Sequence, residues 1–122
     1  MKKLINSIKK NLNSYRHAVR GISYTIGNEN NFKYQLIAAL VVIGTGLYIR
    51  LNVRDWIVLT TIIGVVLMAE LFNTSIEKIC DFVHPKNHPQ IGIIKDISAG
   101  AVLVISIAAL LIAVLIILNH YS

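Results

Sequence analysis

Charge is scarce in this sequence, and acidic charge scarcer still: 15% of its 122 residues are Asp, Glu, Lys or Arg, with six acidic against twelve basic. A small water-soluble domain carries charge on about a quarter of its residues. A chain that is 55% hydrophobic, with a mean hydropathy of +0.63, is too apolar for that class, and the bilayer is its expected solvent. There is one cysteine, Cys80, which excludes an internal disulfide and leaves no second thiol for zinc or redox chemistry; a packing role is expected. The only prolines, Pro85 and Pro89, fall together and mark an irregular loop. No GxxxxGK[ST] phosphate loop is present, nor an internal repeat, a low-complexity tract or a second domain. The first thirty residues lack the apolar segment of a secretory signal and carry charge throughout, so the N-terminus is expected to be retained. The net charge of +6 invites a nucleic acid, but the basic residues cluster beside apolar runs instead of alternating with aromatics that stack on bases. Lipid headgroups or phosphates fit better, and no nucleic acid is expected.

What is present is long apolar stretches. Ile97 to Leu118 is twenty-two residues without a charge, enough at about 1.5 Å per residue to cross a hydrocarbon core of about 30 Å. A second stretch, 32–51, has Lys33 and Arg50 near its ends, where they can snorkel toward water. A third starts at Trp56, an expected interface anchor, and stays apolar through Ala69, continuing as a helix over 56–81. Three crossings are expected. Lys2, Lys3, Lys9, Lys10, Arg16, Arg20, Lys33, Lys78, Lys86 and Lys95 then fall on one side and only Arg50 and Arg54 on the other, which places the N-terminus and the Lys78 to Lys95 loop in the cytoplasm. Residues 1–27 read as an amphipathic surface helix. Leu4, Ile8, Leu12, Tyr15, Val19 and Ile22 recur every three or four positions within an arc of roughly 80°, and Lys2, Lys9, Arg16 and Arg20 lie outside that arc. Such a helix suits the inner leaflet. The expected fold is an all-α, multi-pass membrane protein of one domain.

Against this background one carboxylate is out of place. Glu70 lies fourteen residues beyond Trp56, about 21 Å into a core of about 30 Å. Ionisable groups at such depth face a bundle interior or a watery cavity and serve function. Glu77 and Asp81 follow seven and eleven residues later, each within roughly 20° of Glu70 around the helix, with Asn73 and Thr74 alongside. The bland explanation is a set of interhelical hydrogen bonds and ion pairs to Lys95 or Lys33. Three carboxylates on one face exceed what helix association needs, however, and their repulsion calls for protons or cations. Magnesium fits, since it takes a few carboxylate oxygens along with water and phosphate. A transition metal does not, because His84 and His88 sit in the Pro-rich loop and His17 is isolated. Glu29, in GNENNFK, adds a carboxylate that by itself reads equally as a helix cap or a solvated residue. Ser98, Ala99, Gly100 and Ala101 follow Lys95 and Asp96 and permit close helix packing.

Three segments, NENNFK around Glu29, AELFNTSIEKICD over 69–81 and KDISAGAV over 95–102, resemble the small prokaryotic integral membrane lipid kinases, a family comprising diacylglycerol kinase and undecaprenol kinase. The likeness extends over nearly the whole chain. It implies a homotrimer of three-helix protomers with composite sites at the cytoplasmic membrane boundary. It further implies Glu70 as catalytic base, Glu29 and Glu77 as ligands of the Mg2+ that accompanies ATP, and Lys95 and Asp96 at the nucleotide site with Asn73 in support. Lys10, His17 and the loop residues Lys86, Asn87 and His88 would approach the ATP, and Ala99 would meet the lipid beside Glu70. A glutamate partly withdrawn from water suits proton acceptance from a lipid hydroxyl near neutral pH, and this family uses no GxxxxGK[ST] loop. NTSIE and ENNFK are closer to the undecaprenol branch than the NSAIE and EAAFR of the diacylglycerol branch, so undecaprenol is the expected substrate and diacylglycerol the alternative. Two rivals from other classes are an ion-handling bundle lined by Glu70 and Glu77 and a structural protein that only anchors partners.

Overall fold

The structure is a computed structural model that describes all 122 residues as four helices and no strand: α1 Lys2–Asn28, α2 Asn30–Tyr48, α3 Val53–Val83 and α4 Pro89–Tyr121. Each break between them has a local cause. At Glu29 the backbone turns extended (φ −115°, ψ 110°), ending α1 and starting α2 at one residue. After α2, the Arg50 amide bonds to the Leu47 carbonyl and the Leu51 amide to the Gly46 carbonyl, with Arg50 at φ 57°. This is a Schellman ending, and a left-handed residue there cannot continue the helix. For that reason α2 stops at Tyr48, three residues before the end of the 32–51 stretch expected from hydropathy. Asn52 then caps α3: its Oδ1 accepts from the Asp55 amide and its Nδ2 donates to the Asp55 carboxylate, both at 2.9 Å. His88 caps α4 through a ring nitrogen that accepts from the Gln90 amide, with Pro89 in the first turn, where a missing N–H costs nothing.

Helices α3 and α4 pack together along much of their length, α2 lies against α3, and α1 touches the others only sparsely. Only 11 of 122 residues are buried, and half of the ten with polar or large apolar side chains are polar: Thr25, Glu70, Asn73, Thr74 and Ser98 beside Phe32, Leu59, Val66, Cys80 and Ile116. A water-soluble chain of this size would bury most of its apolar surface. Here Leu103, Val104, Leu110 and Leu111 lie exposed on α4, and the apolar stripe of α1 from Leu4 to Ile22 is equally uncovered. Two helices, α3 and α4, are long and apolar enough to cross a membrane. Their 31 and 33 residues exceed the roughly 20 that a bilayer core needs. Helix α2 misses that mark because its first turns carry Asn30, Asn31, Lys33 and Gln35.

Cys80 is buried and free, in keeping with a packing role. Trp56 packs on α2, where a Cβ at Gly46 would meet its Cη2 at 2.9 Å and Leu51 Cδ1 at 2.9 Å. Gly46→Ala therefore overpacks the α2–α3 corner and should cost about 1–3 kcal/mol, whereas Gly44→Ala meets nothing within 4 Å and should not destabilise. Thermal unfolding in detergent checks the pair; equal melting temperatures for the two variants would contradict the clamp.

Candidate functional site

The polar side chains singled out on α3, at Glu29 and in the 86–88 loop lie toward one end of the bundle, and they differ in what surrounds them. Because the α3 stripe runs from between helices out to the loop end, its members emerge progressively. Glu70 is 4% exposed and Asn73 and Thr74 are buried, while Glu77 is half-buried and Asp81 exposed. No cation pairs with Glu70. The one donor within hydrogen-bond distance of its carboxylate is the neutral Gln35 amide, 3.5 Å from Oε1, and the same Gln35 Nε2 donates to Ser106 Oγ at 3.2 Å. Glu77 and Glu29 stand near enough to act on Glu70 electrostatically, so three like charges share one region.

Of the ion pairs expected as the bland explanation, one forms, at Asp81 on the outer end of the stripe, and Glu70 and Glu77 are left without a cation. Lys95 Nζ lies 2.5 Å from Asp81 Oδ1, and Lys78 Nζ lies 4.0 Å from Glu29 Oε1 and over the Tyr24 ring at 5.3 Å. Both pairs are exposed enough to contribute little stability. Lys33 pairs with no carboxylate. Glu29 occupies the cap position of α2 without using its side chain as the cap, which leaves the carboxylate free of backbone partners. Asn73 donates from Nδ2 to Glu77 Oε1 at 3.2 Å, and this leaves Asn73 Oδ1 buried with no partner. An orphaned buried oxygen is costly; beside a carboxylate it is a hard donor of the kind magnesium takes.

Two cavities flank this region. One, of about 170 Å³, runs between α2, α3 and α4, lined by apolar side chains such as Ala38, Val66 and Ala109, with Gln35 and Ser106 as its polar members. The other, of about 480 Å³, lies at the α3–α4 loop and is lined by Asp81, His84, Lys86, Asn87, His88 and Lys95 among others. The loop is folded back on itself: His84 Nδ1 is 2.7 Å from the Lys86 carbonyl, and the His84 and His88 rings meet edge to face at 5.1 Å. Lys86, Asn87, His88 and Lys95 thus line a single cleft. Asp96 and Ala99 are exposed on α4 outside it, and Lys10 and His17 are exposed on α1, with no hydrogen bond or ion pair to any other site residue. No group of three or more His, Cys, Asp or Glu side chains converges on a point. Magnesium needs only one or two carboxylates when a substrate phosphate completes its shell.

The family model for prokaryotic diacylglycerol kinase matches residues 16–117. The chain belongs to the prokaryotic diacylglycerol kinase family. Among its relatives is the undecaprenol kinase of Bacillus subtilis (strain 168), 35% identical over 113 residues that cover 93% of this chain and 92% of that protein. A diacylglycerol kinase of Synechocystis sp. (strain ATCC 27184 / PCC 6803 / Kazusa) is 31% identical over 100 residues, 81% of this chain and 57% of that longer protein. A member of the prokaryotic diacylglycerol kinase family with two long apolar helices is a membrane-bound kinase. Within this family frame, Gln35 and Ser106 are residues that the sequence reading passed over. The available signal was a polar side chain inside each of two otherwise apolar stretches; what was missing was the rotation of α2 and α4 that brings Gln35 to Glu70 and Ser106 to Gln35.

Proposed function

We propose that the protein transfers the γ-phosphoryl group of ATP to the hydroxyl of a membrane lipid, with undecaprenol as the acceptor. One observation carries this reading: a glutamate deep among apolar helices, buried and without a cation, reached only by a neutral amide. A structural carboxylate at that position would be paired, because an unpaired buried charge is strongly unfavourable. One that exchanges a proton with substrate must be left free. Glu70 takes the proton from the lipid hydroxyl; the hydroxyl oxygen forms its bond to the γ-phosphorus as the bond to the β,γ-bridging oxygen breaks and ADP leaves. Lys86, His88 and Lys95 on the loop cleft, with Asn87, receive the nucleotide's phosphates, and Asp96 borders the same site. Lys10 and His17 reach the nucleotide if α1, sparsely attached in this structure, swings toward the cleft. Glu29 and Glu77 would hold Mg2+, with Asn73 supporting Glu77, and the ion when bound neutralises charge on the phosphates. Ala99 lies on the lipid side of the site.

We further propose a homotrimer of three-span protomers in the cytoplasmic membrane, with α2 as the third crossing, the N-terminus inside and α1 on the inner leaflet. The uncovered apolar faces of α2 and α4 supply both lipid-facing and subunit-facing surface. Identity over nearly the full length of a named undecaprenol kinase favours undecaprenol over diacylglycerol. Purified protein supplied with labelled ATP and either lipid tests this. Label should pass to undecaprenol faster than to diacylglycerol, from a particle whose mass in mild detergent equals three chains. Preference for diacylglycerol would reverse the substrate assignment, and transfer to neither, with ion flux through vesicles in its place, would favour an ion-handling bundle.

A further inference from the structure

We propose that Gln35, itself anchored by Ser106, is the positioning residue that holds the Glu70 carboxylate in its working orientation. The inference rests on the reading of Glu70 as the base. A glutamate side chain has three rotatable bonds, and a base must sit within about 2.6–3.2 Å of the proton it removes, so something has to limit where its oxygens can go. In α3 nothing does: Glu70 makes no hydrogen bond to its own helix, and no backbone donor of another element reaches it. The only side chain that reaches it is Gln35, from α2, through Nε2 at 3.5 Å. That contact alone is long. Its geometry is braced because Nε2 also donates to Ser106 Oγ on α4 at 3.2 Å, so that one amide ties the three packed helices together at the depth of the carboxylate.

The chemistry of the partner matters as much as its place. A lysine or arginine here would pair with the carboxylate and hold its electrons, as Lys95 holds Asp81. A carboxamide orients through two N–H donors but brings no net charge, leaving the lone pairs of Glu70 available to a hydroxyl. Gln35 and Ser106 are also the polar lining of the apolar cavity between α2, α3 and α4, so the same two side chains that steady the base mark the boundary between it and the lipid-like interior.

The test is a double-mutant cycle on the full-length protein in lipid bicelles, read as kcat and as KM for ATP. Gln35→Leu removes the amide at similar size and should lower kcat about tenfold, the scale of a hydrogen bond to a charged group, with KM for ATP unchanged. Ser106→Ala should give a smaller fall and Ser106→Thr, which keeps the hydroxyl, should restore it. In a Glu70→Gln background, Gln35→Leu should cause no further loss, because a residue that acts through Glu70 has nothing left to orient. Losses that multiply in the double variant, or a Gln35→Leu enzyme with unchanged kcat, would overturn the positioning role while leaving the base intact. Should Glu70→Gln by itself retain full turnover, it is the base assignment that fails. If Gln35→Leu does not fold, the Ser106→Ala and Ser106→Thr pair decides, with equal kcat for the two overturning the proposal.

Discussion

Glu70→Gln should lower lipid phosphorylation by roughly 10²–10⁴-fold, the range general base catalysis provides, while leaving ATP binding nearly unchanged. The substitution keeps side-chain volume and the capacity to receive the Gln35 hydrogen bond, since the glutamine carbonyl still accepts where Oε1 did. It removes only the ability to take up a proton. Stability should not suffer and should rise slightly, because a neutral amide is less costly than an unpaired carboxylate at a site that is 4% exposed. Loss of turnover with retained or raised melting temperature therefore separates a chemical role from a structural one. Single-turnover transfer of labelled phosphate, nucleotide titration and thermal unfolding on one preparation supply the three numbers. A variant that turns over at the parental rate would remove the base from the mechanism. A variant that unfolds would point to packing as the reason for the carboxylate.

Glu77→Gln should raise the magnesium concentration needed for half-maximal turnover by about tenfold or more. Groups that merely steady a metal ligand contribute 10–100-fold in affinity, and a lost ligand should cost at least the lower figure. The geometry makes the effect specific to the ion. Asn73 Nδ2 donates to Glu77 Oε1 and can donate equally to a glutamine carbonyl, so the local packing survives, while one negative charge beside the orphaned Asn73 Oδ1 disappears. Glu29 should respond in the same direction, from a carboxylate that begins 4.0 Å from Lys78 and can exchange that exposed pair for a cation. Turnover measured against free magnesium at fixed ATP decides, and an unshifted midpoint in Glu77→Gln would contradict the metal role. At saturating magnesium the variant should recover most of its rate, which Glu70→Gln should not.

The helical class, the membrane character and the family of this chain were legible without coordinates, since each depends on short-range properties. Helical rise and rotation follow from the backbone, so the spacing of Glu70, Glu77 and Asp81 already assigned them one face of one helix. Hydropathy is a property of local composition, and it singled out α3 and α4; it overran the end of α2 because no apolar count reports a left-handed Arg50. The motifs NENNFK, AELFNTSIEKICD and KDISAGAV carried the family because they are read one residue at a time.

Pairings between helices were a different matter. Spacing could offer Lys95 or Lys33 as a partner for the α3 carboxylates, but it could not say that Lys95 goes to Asp81, that Lys78 turns to Glu29, or that Glu70 is left to Gln35. Those choices depend on how far each helix is rotated about its own axis and slid along its neighbour when the bundle packs. That rotation and offset are fixed by side chains from all of the helices together. The sequence by itself determined where an acid falls within a long apolar helix and which family the chain belongs to. Only the tertiary structure decided that the acid has no counter-ion, a neutral amide for its one companion, and a loop cleft of Lys86, Asn87, His88 and Lys95 at the same end of the bundle.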